Sequence, residues 1–227
     1  MRDSYKTFFE HFNIDFKDII QFGVELDTIY PDPDKIEMHW TKLIESIENN
    51  EIAYIRGYGR DAHGTDLYQK LYSILLNNKN IKKDSTNNAK PTQLLQNITG
   101  YSKTIKKDNE SKKRISNYQV THIFGRTKNP FLFTAPWNIV WKSKMLDPFT
   151  GHESRGKNTD EYKKAFIEKS VKLYARYISD YNKYALEYFT IDKLEKAFKQ
   201  METNKDLSDK VFNKFKDDAR NELRVIE

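Results

Sequence analysis

A chain of 227 residues is long enough for one substantial domain or for two small domains that share a core. It contains no cysteine, no apolar run near the roughly 20 residues of a membrane span, and no apolar N-terminal segment typical of a signal peptide. These features exclude a disulfide framework, a cysteine-bound zinc site and a membrane-spanning protein, so we expect a soluble protein of the reducing cytoplasm.

The charge balance favours a polyanionic partner. Lys and Arg number 39 and Asp and Glu number 33, which gives a net charge of +6 at pH 7. Cations that neutralise phosphates release condensed counterions, and this release favours binding to nucleic acid. A lysine-rich solvated surface would give the same balance, so the position of the cations along the chain matters more than their number.

The first ninety residues predict an N-terminal region of mixed helix and strand. Asp32 followed by Pro33 is typical of the start of a helix, and the apolar residues that come next recur on one helical face. The predicted elements are a helix over 36–47, a strand over 52–55, a helix over 64–76 and a polar, turn-rich loop over 77–90.

Residues 91–114 predict a DNA-contacting segment. A short helix over 92–98, a turn at Gly100 and a second helix capped by Ser102 resemble the helix-turn-helix of DNA-binding proteins, although many ordinary helix pairs look the same. We expect residues 92–114 to read bases in the major groove, where Lys, Arg, Asn and Gln supply donors. The segment is rich in cations that we expect to contact DNA, with the first two as base readers: Lys103, Lys106, Lys107, Lys112, Lys113 and Arg114.

Residues 115–156 contain the side chains that could support catalysis. Residues 118–123 predict a strand that includes His122, and a basic loop follows it. A second apolar segment begins beside Asn138, and Asp147 followed by Pro148 predicts the start of another helix. Histidine can be neutral near pH 7, as a base that activates water must be.

This segment resembles the HNH, or ββα-metal, nuclease family. In that family a strand ends in His-Ile or His-Val, a loop follows, an Asn precedes apolar residues, and a helix supplies metal ligands. His122-Ile123 matches the first element, and Asn138-Ile139-Val140 matches the second, sixteen residues on. Asp147 and His152 lie nine and fourteen residues after Asn138, where the family places its metal ligands.

The resemblance implies a role for each matched residue. His122 would be the general base, Asn138 would fasten the loop, and Asp147 and His152 would hold Mg²⁺ or Mn²⁺. The family usually has Asp or His immediately before the base, where this chain has Thr121. Another group would then have to complete the site.

Three more residues near this pattern are candidates for the site. Arg126 and Lys128, on the loop after the base, could clamp the scissile phosphate. Glu153 could replace the missing metal ligand. The alternative interpretation is that His122 is a hydrogen-bonded core histidine and Asp147 a plain helix cap.

Residues 157–227 predict a helical C-terminal region, with amphipathic helices over 160–189, 191–201 and 207–223. Lysines alternate with acids along these helices, as on an ordinary solvated face. We expect the region to serve packing or to form a dimer surface.

Together these patterns predict an α+β fold, mainly helical, with a small ββα-metal motif. The expected function is Mg²⁺-dependent, sequence-specific cleavage of double-stranded DNA, as by a type II restriction endonuclease. A homodimer is expected, because cutting both strands of a palindrome needs two sites related by a twofold axis. The alternatives are a non-enzymatic, sequence-specific DNA-binding protein and a structural or partner-binding protein whose basic face is incidental.

Overall fold

The computed structural model describes residues 2–57, 65–104, 112–151, 153–202 and 208–227. Within these ranges helices predominate, and the strands form three two-stranded sheets. The fold is therefore α+β and mainly helical, as the sequence predicts. No helix in the described ranges is long and apolar enough to cross a membrane.

The N-terminal region packs helices around a short parallel strand pair. The side chain of Asp32 accepts a hydrogen bond from the backbone N–H of Asp34, which confirms the predicted helix start. Stretch 77–90 is not the plain loop that we predict, because buried Ile81 pairs with Ala53. The elements are α1 (Ser4–His11), α2 (Phe16–Gln21), a π-helix (Phe22–Asp27), α3 (Pro33–Glu48), β1 (Ala53–Ile55), α4 (Thr65–Leu75) and β2 (Ile81–Lys83).

The predicted helix-turn-helix is wrong in its second half. Helix α5 (Ala89–Thr99) is present and ends at Gly100, whose φ of +71° is left-handed. The chain then continues as strand β3 (Tyr101–Ser102), paired in parallel with β4 (Lys113–Arg114), instead of starting a helix at Ser102. Backbone hydrogen bonds from Lys113 to Gly100 and from Ile115 to Ser102 hold this extended arrangement.

An antiparallel hairpin follows, where the sequence predicted a strand over 118–123 and a second apolar segment after it. Strand β5 (Tyr118–His122) pairs with β6 (Ile139–Ser143), so that His122 lies opposite Ile139. The sixteen residues between the strands include the short helix α6 (Pro130–Phe133). Side chains on β5 alternate between two faces of the hairpin, which decides where each candidate residue points.

The chain after the hairpin turns once and then enters the C-terminal helices. The α-helix predicted to begin at Asp147 is instead a single 3₁₀ turn, Asp147–Thr150, which ends at Gly151 with a φ of +95°. Leu146, not Asp147, occupies the position that caps this turn. The three predicted C-terminal helices are confirmed as α7 (Lys157–Tyr188), α8 (Ile191–Glu202) and α9 (Asp209–Leu223).

Two apolar clusters lie on either side of the hairpin. The larger cluster joins α3, α4 and α6 to the C-terminal helices. The smaller cluster lies between α5 and one face of the hairpin and contains Leu95, Ile98, Ile115, Val120, Ile139 and Trp141.

Candidate active site at the end of the hairpin

His122, the last residue of β5, is held in a defined orientation. Its side chain is only 6% exposed and stacks on the ring of Phe133, with centroids 5.4 Å apart. The Nε2 atom lies 2.9 Å from the carbonyl oxygen of Phe133. A carbonyl oxygen can only accept a hydrogen bond, so we assign the hydrogen to Nε2. In the neutral ring Nδ1 is then the basic nitrogen.

Asn138 fastens the loop that follows His122. Its Oδ1 accepts a hydrogen bond from the N–H of Phe124 at 2.9 Å. Its Nδ2 donates to the carbonyl oxygens of Leu132 at 2.9 Å and of Gly125 at 3.4 Å. This buried amide therefore connects the start of the loop and helix α6 to the start of β6, beside His122. It has the position that the family resemblance implies for a loop-fastening Asn.

Asp147 lies on the opposite face of the hairpin from His122. Its two carboxylate oxygens accept hydrogen bonds from Gln119 Nε2 and Thr121 Oγ1, and the residue is only 5% exposed. Gln119 and Thr121 alternate with His122 along β5, so their side chains point to the other side. The structure does not bring the predicted base and the predicted metal ligand together.

Asp147 as it stands does not fit an Mg²⁺ site. A hard cation takes several oxygen ligands, whereas both oxygens of this carboxylate are already bonded to β5. The described part of the chain contains no group of three or more His, Cys, Asp or Glu side chains arranged to hold a metal. Glu153 is exposed, and His152 lies outside the described residues.

The face that holds Asp147 also contains a buried ion pair that sequence reasoning missed. The Nζ atom of Lys142 lies 3.5 Å from Asp27 Oδ2, donates to Thr28 Oγ1 at 2.7 Å and also donates to the carbonyl of Gly23. Burial lowers the pKa of Lys142 to about 8, against the opposing effect of Asp27. Side chains alternate between the two faces along β6. This alternation, counted from buried Trp141, could have predicted that Lys142 lies on the same face as Asp147.

Arg126 and Lys128 do not act as free phosphate clamps in this structure. The guanidinium of Arg126 donates to the carbonyl oxygens of Arg224 and Val225. The ammonium of Lys128, which is only 7% exposed, donates to the carbonyl of Arg56 at 2.8 Å. Both side chains therefore fix the loop to other parts of the chain.

The loop is also held by a carboxylate of α9. Glu222 Oε2 accepts a hydrogen bond from the backbone N–H of Lys128 at 2.8 Å. Burial raises the pKa of Glu222 to about 7, while that hydrogen bond and the charge of Lys128 oppose the rise. The loop after His122 thus depends on contacts with the last residues of the chain.

Four of the predicted DNA-contacting cations lie on the segments that follow α5. Lys103 lies over the ring of Trp141 at 5.3 Å, and Lys113 lies over Tyr101 at 5.9 Å. Lys112 donates to Asn97 at 3.0 Å, and Arg114 is exposed. Burial, together with the charge of Lys144, lowers the pKa of Lys103. The remaining predicted cations, Lys106 and Lys107, lie outside the described residues.

Comparison with known proteins gives one family and one relative. A family model described as "Uncharacterised protein PM1201" matches residues 31–227. A protein of Pasteurella multocida (strain Pm70) with the same description is 38% identical over 228 aligned residues, which cover 100% of this chain and 98% of that protein. No solved structure matches. The matched range includes the whole hairpin and both of its faces.

Proposed function

We propose that the chain, which belongs to the PM1201 family, is a DNA endonuclease in which His122 is the general base. The observation that carries this proposal is the hydrogen bond between His122 Nε2 and the Phe133 carbonyl, in a loop held by Asn138. A histidine fixed in the tautomer with a basic Nδ1 is suited to accept a proton from water.

The proposed reaction is hydrolysis of a phosphodiester bond. Nδ1 of His122 accepts a proton from water while the water oxygen bonds to phosphorus. The P–O ester bond breaks, and the leaving oxygen takes a proton from solvent. We propose Mg²⁺ or Mn²⁺ as cofactor on the family resemblance alone, because Asp147 as it stands does not fit a metal site.

The distribution of charge supports DNA as the substrate. Residues 67–146 contain 15 Lys and Arg but only three Asp and Glu, whereas the rest of the chain contains 24 and 30. The middle of the sequence is therefore strongly basic and its flanks are acidic. A concentrated positive region of this kind favours binding of a phosphate backbone. A homodimer remains our proposal for cutting both strands.

A second candidate is a DNA-binding protein that does not cleave. The position of Asp147 and the 6% exposure of His122 favour it, because a catalytic base must reach the water that it activates. This protein would have the same basic region and the same hairpin. It would bind DNA in the presence or absence of divalent metal.

Cleavage of supercoiled plasmid separates the two candidates. The protein is incubated with plasmid in Mg²⁺, in Mn²⁺ and in EDTA, and binding to labelled duplex is measured in parallel. His122→Gln keeps a side-chain N–H for the Phe133 carbonyl but has no base, and His11→Gln on exposed α1 is the matched control.

Metal-dependent nicking that the His122 variant loses and the control keeps supports the nuclease. Binding without cleavage in either metal refutes the nuclease and supports the second candidate. Cleavage that survives in His122→Gln removes this residue from the mechanism, and absence of DNA binding refutes both functions.

A further inference from the structure

The outer surface of α5 has the pattern of a helix that contacts a partner. Its inner face, with Leu95 and Ile98, is fully buried against the hairpin. On the outer side Gln93 and Asn97 are exposed and Gln96 is partly exposed. These three residues lie three and four positions apart, so their amide groups are neighbours on one side of the helix.

Negative charge is absent from this surface within the described residues. Helix α5 contains no Asp or Glu. The nearest acid along the chain is Asp84, which is buried and accepts hydrogen bonds from the backbone N–H groups of Thr86, Ala89 and Lys90. The negative charge of Asp84 is therefore bonded to backbone N–H groups at the start of α5. The outer surface therefore presents three neutral amides and no acid, and the amide oxygen of Asn97, near its C-terminal end, accepts a hydrogen bond from Lys112 at 3.0 Å.

Cations lie at both ends of that row of amides. At the N-terminal end, Lys90 lies over the ring of Tyr54 at 4.7 Å, and exposed Lys82 pairs with Tyr54 in the β1–β2 sheet. At the C-terminal end are exposed Lys113 and Arg114 of β4. The helix surface therefore has neutral hydrogen-bonding groups at its centre and positive charges at its two ends. This pattern is complementary to a DNA groove, in which base edges lie between two phosphate backbones.

We infer that α5 is the helix that reads DNA, lying in the major groove with Gln93, Gln96 and Asn97 towards the base edges. The groove is about 12 Å wide and admits one α-helix. Gln and Asn pair with the N6 and N7 atoms of adenine, so we expect a preference for A·T pairs at the centre of the site. The cations at the two ends would contact phosphates and set the position of the helix.

The inference rests on the proposed DNA partner but not on cleavage. It narrows the sequence-based expectation, which placed base reading within residues 92–114 and favoured Lys103 and Lys106 on a second helix. That helix does not begin at Ser102, and Lys103 lies over Trp141.

The test measures sequence preference in EDTA, where cleavage does not contribute. A preferred duplex is selected from a random pool with the wild-type protein. Anisotropy titrations then compare that duplex with duplexes changed at single A·T pairs. The variants are Gln93→Ala and Gln96→Ala, with Gln21→Ala on exposed α2 as the matched control, and Lys113→Gln/Arg114→Gln as a phosphate-contact variant.

We expect each α5 variant to lose about 5- to 150-fold of discrimination at one or two adjacent A·T pairs, with an unchanged salt dependence. The double cation variant should weaken binding to all duplexes alike and make the slope of log affinity against log salt shallower by about 2. Full discrimination in both α5 variants, or equal binding of the wild-type protein to all duplexes, overturns the inference.

Plasmid cleavage by the same preparations separates this result from the proposed function. Discrimination that depends on α5, without cleavage in Mg²⁺ or Mn²⁺, supports the reading helix and refutes the nuclease. Cleavage dependent on His122, with discrimination independent of α5, gives the reverse conclusion.

Discussion

The two faces of the β5–β6 hairpin differ in kind, although their residues alternate along the same strands. One face presents Val120 and Trp141 to α5 and has His122 at its end, in a loop fastened by one buried amide. The other face presents Thr121 to the buried carboxylate of Asp147, and Lys142 to buried hydrogen bonds and an ion pair with Asp27. The first arrangement orients a histidine, which we propose as the base, and the second connects the hairpin to the rest of the fold.

This difference between the two faces shows when the spacing of two residues in the sequence determines that they lie close together in the fold. The spacing from His122 to Asn138 spans a loop whose two ends meet in one antiparallel pair, so both residues must lie together. The spacing from Asn138 to Asp147 spans a whole strand and a turn, and the chain can leave that turn on either side. Here Asp147 contacts Thr121. Its spacing from Asn138 matches that of a metal ligand in the HNH family, but the residue lies on the face of the hairpin opposite His122.

The prediction with the largest expected effect compares substitutions of His122 and Thr121, two neighbouring residues on opposite faces of the hairpin. His122→Gln should lower cleavage by about 10²–10⁴-fold, because it removes the proposed base. It keeps an N–H for the Phe133 carbonyl but loses the stacking on the Phe133 ring, so we also expect a small loss of stability. Thr121→Val should keep cleavage at temperatures where the protein is folded. It should lower the free energy of unfolding by about 1–3 kcal/mol, because one oxygen of Asp147 loses its donor.

Plasmid cleavage rates and urea unfolding curves measure both effects. If Thr121→Val loses cleavage while the protein is folded, the two faces act together and the separation between them fails.

The next largest effect tests the buried pair. Lys142→Met should lower the free energy of unfolding by about 3–5 kcal/mol, because it leaves the carboxylate of Asp27 buried without its cation. Lys144→Met is the matched control, since this lysine is exposed two residues along. Removing both charges with Asp27→Leu/Lys142→Met should recover part of the loss.

Urea denaturation of the four proteins gives the answer. Equal stability of the Lys142 and Lys144 variants would mean that the ion pair adds nothing to the connection between hairpin and core.

Local sequence signals predicted local structure well. The cap at Asp32, the periodic apolar residues of α3 and the strand before the His122–Asn138 loop are all present, and the apolar segment after that loop forms the second strand of the hairpin. Each depends on residues that are close in sequence or on one antiparallel pair. For the same reason the sequence indicated the position of Asn138 beside His122.

Contacts between distant parts of the chain could not be predicted. From the sequence alone, Arg126 on the loop is a reasonable phosphate contact. In the structure its guanidinium is bonded to residues that lie 98 and 99 positions further along the chain. The strand at Tyr101–Ser102 forms only because Lys113–Arg114 returns to pair with it. No periodicity within 101–107 indicates such a partner, so the polar cap at Ser102 predicted a helix.

A smaller effect concerns pH and the loop on the His122 side. The unfolded Glu222 carboxyl loses its proton near its ordinary pKa of 4.5, whereas the folded one keeps it to about pH 7. Between these values the folded state binds more protons, so the stability contributed by this group falls as pH rises. Glu222→Gln removes this dependence and should be more stable than wild type above pH 7, by on the order of 2 kcal/mol.

Unfolding free energies at pH 4.5, 6 and 7.5 measure the difference, and Glu45→Gln on exposed α3 is the control. A difference between wild type and Glu222→Gln that stays constant with pH would mean that this carboxyl does not titrate in the window. The loop would then be held equally at all three values.

The smallest expected effect decides whether Asp147 is a metal ligand or a structural residue. In Asp147→Asn the amide oxygen can still accept from Gln119, and the amide N–H can donate to the Thr121 hydroxyl, which also accepts. The cost should therefore be only about 1 kcal/mol of stability, with an unchanged Mg²⁺ requirement for cleavage. The family resemblance predicts instead a higher Mg²⁺ requirement, because one charged ligand is lost. A Mg²⁺ titration of cleavage by the variant and the wild-type protein distinguishes the two. A shift of tenfold or more would show that Asp147 leaves Thr121 when DNA binds and that the faces exchange partners during the reaction.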